Sequence, residues 1–302
     1  MTAVMSRVLA ICAFCAWPLT AAAQELVPRA YWPAPNGTNV LAIGYQYSSG
    51  DIVTDPTLPI TGVDSRVNVG LLNYQRTFSL FDRTANIQLA VPYVESSTKG
   101  FVSGSFVERD ISAFGDAEVR LAVNLRGAPS MNREEFQALR AKPRTIIGAS
   151  IVLKPPTGGY DDDRLINAGA NRWATKLGLG AIFPFHPTWL FEVDLGTWFF
   201  GDNDDFLGRT RKQDPISSVE FHLIKRIRPG FWASLDANYY YGGRTSIEGG
   251  PSADLQRNSR FGATVVYPFK AHHAVRFTWS TGVVTESGGD YDTYSVNYFY
   301  AW

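Results

Sequence analysis

Tyr291-Asp292-Thr293-Tyr294-Ser295-Val296-Asn297-Tyr298-Phe299-Tyr300-Ala301-Trp302 closes the chain. Read from the end, Trp302, Tyr300, Tyr298, Val296 and Tyr294 alternate with Ala301, Phe299, Asn297 and Ser295. Side chains alternate faces along a strand, so one face of this segment is nearly all large and apolar or aromatic. In water, a terminus prone to fraying is a poor place for such a face. In an outer-membrane barrel it has a purpose: the last strand pairs with the first, removes the sheet edges and turns its greasy face to lipid. The rest of the chain must then supply compatible strands, connections of two unequal lengths and an export signal.

The N-terminus reads as that signal, over residues 1–23. Arg7 is a short basic region, Val8 to Leu19 is apolar, and Ala21-Ala22-Ala23 is a small-residue cleavage site before Gln24. The apolar run is too short to span a bilayer as a helix. Both cysteines, Cys12 and Cys15, lie in it, so the mature chain is expected to have no disulfide, no thiolate chemistry and no Cys-ligated metal. Lys+Arg and Asp+Glu balance at 28 each, which argues against nucleic acid as a partner. No later stretch is apolar enough for a spanning helix, so a membrane reading has to rest on strands.

Residues 24–37, with three prolines and two aromatics, read as an extended periplasmic lead to a barrel over 38–302. Alternating segments then recur. The clearest set Val119, Leu121, Val123 and Leu125 against Glu118, Arg120, Ala122 and Asn124; others run through Val67, Val69 and Leu71, through Trp189 to Leu195, and through Val275 to Thr281. About twelve such strands are expected, an even number as bacterial barrels require. Some connections are tight, as at Leu80 to Arg83, Pro184 to Thr188, Arg228 to Gly230 and Lys270 to His273. The alternate ones are long and polar: Gly50 to Val63, Ser97 to Ser112, Pro155 to Ala170, Gly201 to Pro215, Gly242 to Asn258 and Thr285 to Asp292. Short periplasmic turns and long external loops are the expected asymmetry. One connection departs from it: residues 127–144 read as a periplasmic insertion with a small helix over Asn132 to Ala141. Aromatic residues gather at both strand ends, with Phe81, Phe185 and Trp302 on one side and Tyr45, Trp173 and Tyr294 on the other, as two membrane interfaces favour. The fold class is all-β, a transmembrane antiparallel up-and-down barrel.

No catalytic constellation is visible, and no enzyme activity is expected. His186, His272 and His273 fall in turns; His222 alone points to the interior, beside Glu220. No serine motif supports the Ser–His pair that a hydrolase needs. Asp161-Asp162-Asp163 resembles half of a calcium loop but lacks its glycine and closing glutamate, so neither metal nor cofactor is expected. The inward face is more informative: Glu118, Arg120, Asn124, Lys154, Lys176, Glu192, Asp194, Glu220, His222, Asp236, Asn238, Arg260 and Arg276 all fall on it. They either brace a closed barrel as mutual pairs or line a narrow aqueous path whose field selects permeants.

Two stretches carry a family resemblance. Pro28-Arg29-Ala30-Tyr31-Trp32-Pro33-Ala34-Pro35 with Gly37-Thr38-Asn39 is one; Pro156-Thr157-Gly158-Gly159-Tyr160-Asp161 with Asn167, Gly169 and Asn171-Arg172-Trp173 is the other. They resemble the outer-membrane transporter family named for the MetA pathway of phenol degradation, and the likeness runs through nearly all of the chain after the signal. The resemblance implies a barrel and a channel role for aromatic or other hydrophobic compounds, with no active site to carry over. Physically, the second stretch is a wet external loop that either stays outside or folds inward, with Tyr160 and Arg172 as candidate constriction residues. The reading is therefore an outer-membrane channel for passive uptake of small organic compounds. Its partners are membrane lipid, a small-molecule permeant and, through Tyr294–Trp302, the barrel-assembly machinery. The rival readings are a closed structural barrel or surface receptor, and an outer-membrane hydrolase.

Overall fold

The computed structural model describes residues 26–54 and 60–302, so the signal segment with its two cysteines lies outside the described residues. In chain order the elements are β1 (Asn39–Val53), β2 (Ile60–Leu80), β3 (Arg83–Val102), β4 (Ser105–Phe114), β5 (Glu118–Arg126) and a helix, α1 (Arg133–Ala141). There follow β6 (Ile146–Lys154), β7 (Ala174–His186), β8 (Trp189–Phe200), β9 (Asn203–Phe206), β10 (Arg209–Gln213), β11 (Ile216–Arg228) and β12 (Phe231–Gly242). The last are β13 (Thr245–Ile247), β14 (Gly250–Pro251), β15 (Gln256–Lys270), β16 (His273–Val284) and β17 (Gly288–Ala301). One sheet of 13 strands closes on itself through the β2–β3 pairing, and a second of 4 strands, β9, β10, β13 and β14, stands apart.

Closure comes from the terminal strand, which pairs with β1 from Val40↔Ala301 to Val53↔Gly288. β4 pairs with the far half of β3 and β5 with its near half, so these two are one stave interrupted at residues 115–117. Thirteen strands therefore make twelve antiparallel staves. At the interruption Pro92 of β3 accepts a bond from the Gly115 amide but has no N–H to return, which weakens the ladder there. The lipid-facing positions are apolar, with Leu177, Leu179, Leu195, Leu235 and Phe277 exposed, and aromatic residues mark both rims.

Several connections differ from the sequence expectation. Ser97 to Ser112 is not a loop: β3 and β4 continue to a tight turn at Ser103-Gly104, both with positive φ, as the twist of a hairpin requires. The connections after Gly201 and Gly242 fold as the hairpins β9–β10 and β13–β14, joined across Arg211↔Ile247. In β2 the apolar set changes faces. Val67 and Val69 point inward and are buried against Val94, Ile111, Ile166 and Ala168, while Leu72 is exposed. The far half of this stave packs on an inner loop, so its apolar residues turn away from the outside. The lead is also not outside: residues 26–36 enter the barrel at the short-turn end and lie against its inner wall.

That end is filled. α1 begins with a capping box in which Asn132 and Glu135 satisfy each other's backbone amides at 3.0 and 2.8 Å. Its Leu139, with Ala128 and Met131 of the same connection, packs with Tyr31 and an inward ring of Ile146, Ile182, Leu190, Ile224 and Trp232. A second apolar group, Val152, Ala174, Trp198, Ile216 and Tyr240, lies farther along the interior. The polar inner residues lie mainly between these layers.

Candidate functional site: a charged belt inside the barrel

Period-two alternation brings the inward charges together because antiparallel partners share a face. His222 of β11 stands opposite both Asp236 of β12 and Glu192 of β8, and Glu220 stands opposite Asp194 and Asn238. His222 is fully buried, with Nδ1 at 2.8 Å from Asp236 Oδ1 and Nε2 at 3.7 Å from both Asp194 Oδ2 and Glu220 Oε2. Thr264 donates to the other oxygen of Asp236 at 2.9 Å. Lys176 lies 3.7 Å from Glu220, and Lys154 lies 3.5 Å from Glu118. Both ammonium groups also stand over the Trp198 ring, at 6.0 and 5.3 Å from its centroid, where the ring's quadrupole favours a cation.

Of the inward residues read from the sequence, Lys176, Glu192, Asp194, Glu220, His222 and Asp236 form this one cluster. Glu118 and Lys154 are a separate pair beside it. Arg120 braces the lead, donating to the Ala30 carbonyl at 3.2 Å. Arg260 belongs to the other wall, where it bonds Ser280, Thr293 and the Tyr291 carbonyl. Asn124 faces Gly148 toward the short-turn end, and Arg276 stands 5.2 Å from the Phe299 ring. Among the described residues no serine hydroxyl hydrogen-bonds to His222, whose Nε2 is flanked by two carboxylates instead. A His–Asp pair is present, but among the described residues no serine stands at its Nε2 to complete a triad.

The lead is the part of the site the sequence reading missed. The Arg29 amide donates to Glu192 Oε2 at 2.6 Å, and the Val27 amide approaches Glu220 Oε2 at 3.4 Å. The Tyr31 hydroxyl is 2.9 Å from Ser150 Oγ, and its ring lies where a Cβ would stand on Gly148 or Gly180. Burial raises the Tyr31 pKa above its usual value, with the Ser150 bond opposing. The inward glycines of β6 and β7 are thus a groove that admits an aromatic ring. Gly148, Gly178 and Gly180, regularly spaced on an inward face, were the signal in the sequence that a guest occupies this wall.

At the other end, Asp116 grips the loop after β6. Its two carboxylate oxygens accept from the Gly158 and Ala170 amides, each at 2.8 Å, while the Thr157 hydroxyl accepts from the Ala117 amide. A Cβ on Gly158 would stand 2.7 Å from the Gly115 carbonyl carbon and 2.8 Å from the Gly169 Cα, so this crossing of backbones requires glycine. Tyr160 donates to the Asp205 carbonyl at 3.0 Å and accepts from Asn203 at 2.8 Å. Arg172 is buried over the Phe200 ring and donates to Gln213. Burial, then the charge of Arg211, pushes its pKa down to about 9. Both residues therefore tie this loop to the hairpin β9–β10. Asp161, Asp162 and Asp163 stay exposed, with Arg164 and Arg109 at 3.6 and 4.0 Å from Asp161.

Residues 41–298 match the family described as "Putative MetA-pathway of phenol degradation". The chain belongs to this family. The structure is similar to the COG4313 outer membrane channel from Pseudomonas putida F1, with a TM-score of 0.80 at 23% identity over 92% of this chain and all (100%) of that one. It is more distantly similar to the β domain of the Bordetella autotransporter BrkA, with a TM-score of 0.54 at 12% identity over 88% and 100% of the two chains. The transport unit of AIDA-I from Escherichia coli gives 0.53 at 8% identity over 98% and 97%. No curated protein matches the chain.

Proposed function

We propose that the chain is an outer-membrane channel for passive uptake of small organic compounds, aromatic and hydrophobic ones included, and that it catalyses nothing. It is exported by a signal cleaved after Ala23, and Tyr294–Trp302 presents the assembly machinery with its last strand. Support for the membrane comes from the apolar wall with two aromatic rims, and for the role from the COG4313 barrel, itself an outer membrane channel. What favours permeation over the closed-barrel reading is the likeness of this barrel to an outer membrane channel over 92% of the chain.

The second reading, a closed barrel, is favoured by the lead and α1, which fill the short-turn end. Passage then requires the lead to move, since its hydrogen bonds to Glu192 and Arg120 cross the interior. Planar-bilayer recording separates the two readings. Refolded 24–302 is expected to give small, intermittent steps, and a chain lacking residues 24–36 larger and steadier ones. Silence from both, with each shown folded by its heat-modifiable gel mobility, would sink the ion-permeable channel and leave the closed barrel.

A further inference from the structure

The rim at the short-turn end holds a cluster that the channel reading does not use. A small pocket, open to solvent, is lined by Arg29, Arg140, Arg226 and Arg228 with Trp32, Trp232 and the Pro229-Gly230 turn. Four arginines line this one small space, and among the described residues none of them forms an ion pair with a carboxylate. Arg29 is clamped between the Trp32 and Trp232 rings, at 4.4 and 5.2 Å from their centroids. Stacking covers the faces of a guanidinium and leaves its N–H donors free in its plane. Its Nε is buried and bonds to no protein group. Arg226 donates to the Arg140 and Pro187 carbonyls, fixing the end of α1 against the barrel wall. Arg228 stands over the Phe231 and Tyr267 rings, 5.8 and 5.5 Å from their centroids, on the aromatic rim.

Like charges gathered in this way are unfavourable unless something negative joins them. Burial pushes the Arg29 pKa down to about 10; only Glu192 opposes, and the charges of Arg226 and Arg140 add to the fall. A tetrahedral oxyanion suits the arrangement because it accepts from several guanidinium forks at once. We propose that this rim pocket binds a phosphate group, held by Arg29, Arg140, Arg226 and Arg228. At its Arg228 end the pocket reaches the exposed Tyr267 of the aromatic rim, where headgroups lie. The phosphate has two chemical sources there: the headgroup of an anionic phospholipid, or phosphate free in solution. The site does not rest on the channel reading, although Arg29 belongs to the lead that passage would displace.

The test uses the refolded chain 24–302 in two arms. In a non-ionic detergent without lipid, inorganic phosphate is titrated calorimetrically against chloride of equal ionic strength. In nanodiscs of phosphatidylcholine with or without phosphatidylglycerol, lipid retained on the barrel after release is read by native mass spectrometry. The structure leads to binding in at least one arm, weakened tenfold or more in Arg29→Gln and in the double variant Arg140→Gln/Arg228→Gln. The double variant leaves the lead in place, so it remains informative if Arg29→Gln misfolds. Binding in the detergent arm assigns free phosphate; retention of phosphatidylglycerol without it assigns the lipid headgroup. No binding in either arm, or binding unchanged in the double variant, overturns the proposal.

Discussion

Tyr31 shows how much one side chain decides here. Its ring occupies the space that a Cβ on Gly148 or Gly180 would take, and its hydroxyl reaches Ser150. Tyr31→Ala therefore removes a buried aromatic ring from the apolar layer at the short-turn end, at a cost on the order of 3 kcal/mol. The expected outcome is a lower urea midpoint by heat-modifiable gel shift together with a larger bilayer conductance. Gly148→Val should give the same conductance change from the β6 side of the contact, because the added side chain meets Tyr31 first and displaces the ring without removing it. A stability loss with unchanged conductance in both variants would mean that the lead braces the barrel without obstructing it. Glycine on these inward positions was readable in the sequence, but its partner was not. A groove and its guest are brought together only by closure of the barrel, and Tyr31 and Ser150 are separated by 119 positions.

At the scale of elements, what the sequence showed clearly was whatever the membrane enforces. The alternation of β5, β6, β8, β11 and β17 matches their inward and outward faces because lipid on one side penalises any slip of register. Where that pressure lapses, legibility lapses too. The far half of β2 turns Val67 and Val69 inward and Arg66 and Gly70 outward, because a loop core, not lipid, receives its apolar residues. For the same reason the long polar connections looked like loops: hairpins such as β3–β4 and β9–β10 with polar outer positions lack the apolar alternation that marks a spanning strand. Asp116 is the residue that holds these outer pieces in place, through the Gly158 and Ala170 amides. Asp116→Ala orphans both donors, each worth about 1–3 kcal/mol when left buried and unpaired. The loop at 155–173 should then lose amide-exchange protection and become the first site of limited proteolysis, while the barrel keeps its heat-modifiable mobility. Asp116→Asn keeps one acceptor and should recover part of the protection. Equal protection in all three proteins would show that the glycine crossing alone fixes the loop.

For the whole molecule, the wall and the filling obey different rules. The wall follows from hydrogen-bond closure and lipid, so twelve staves were legible from alternation and unequal connections. The filling is a folded interior of lead, α1 and loops, whose charged belt could be located by phase but whose pairings depended on register. Whether this filling moves is then the question that separates a gated passage from a plug, and the chain offers a clean way to ask it. Both native cysteines lie at positions 12 and 15, so residues 24–302 contain none. A Cβ built on Gly148 stands 3.1 Å from Tyr31 Cβ, slightly inside the roughly 3.5–4.5 Å range of disulfides and within reach of a small backbone shift. The pair Tyr31→Cys/Gly148→Cys should therefore oxidise and pin the lead to β6. Oxidised, the barrel should conduct no better than the native chain and lose the intermittent steps. Reduced, it has neither the ring nor the tether, and conductance should rise at least to that of Tyr31→Ala. Intermittent steps persisting in the fully oxidised protein would show that the passage opens elsewhere, and the outer loops held by Asp116 would become the gate.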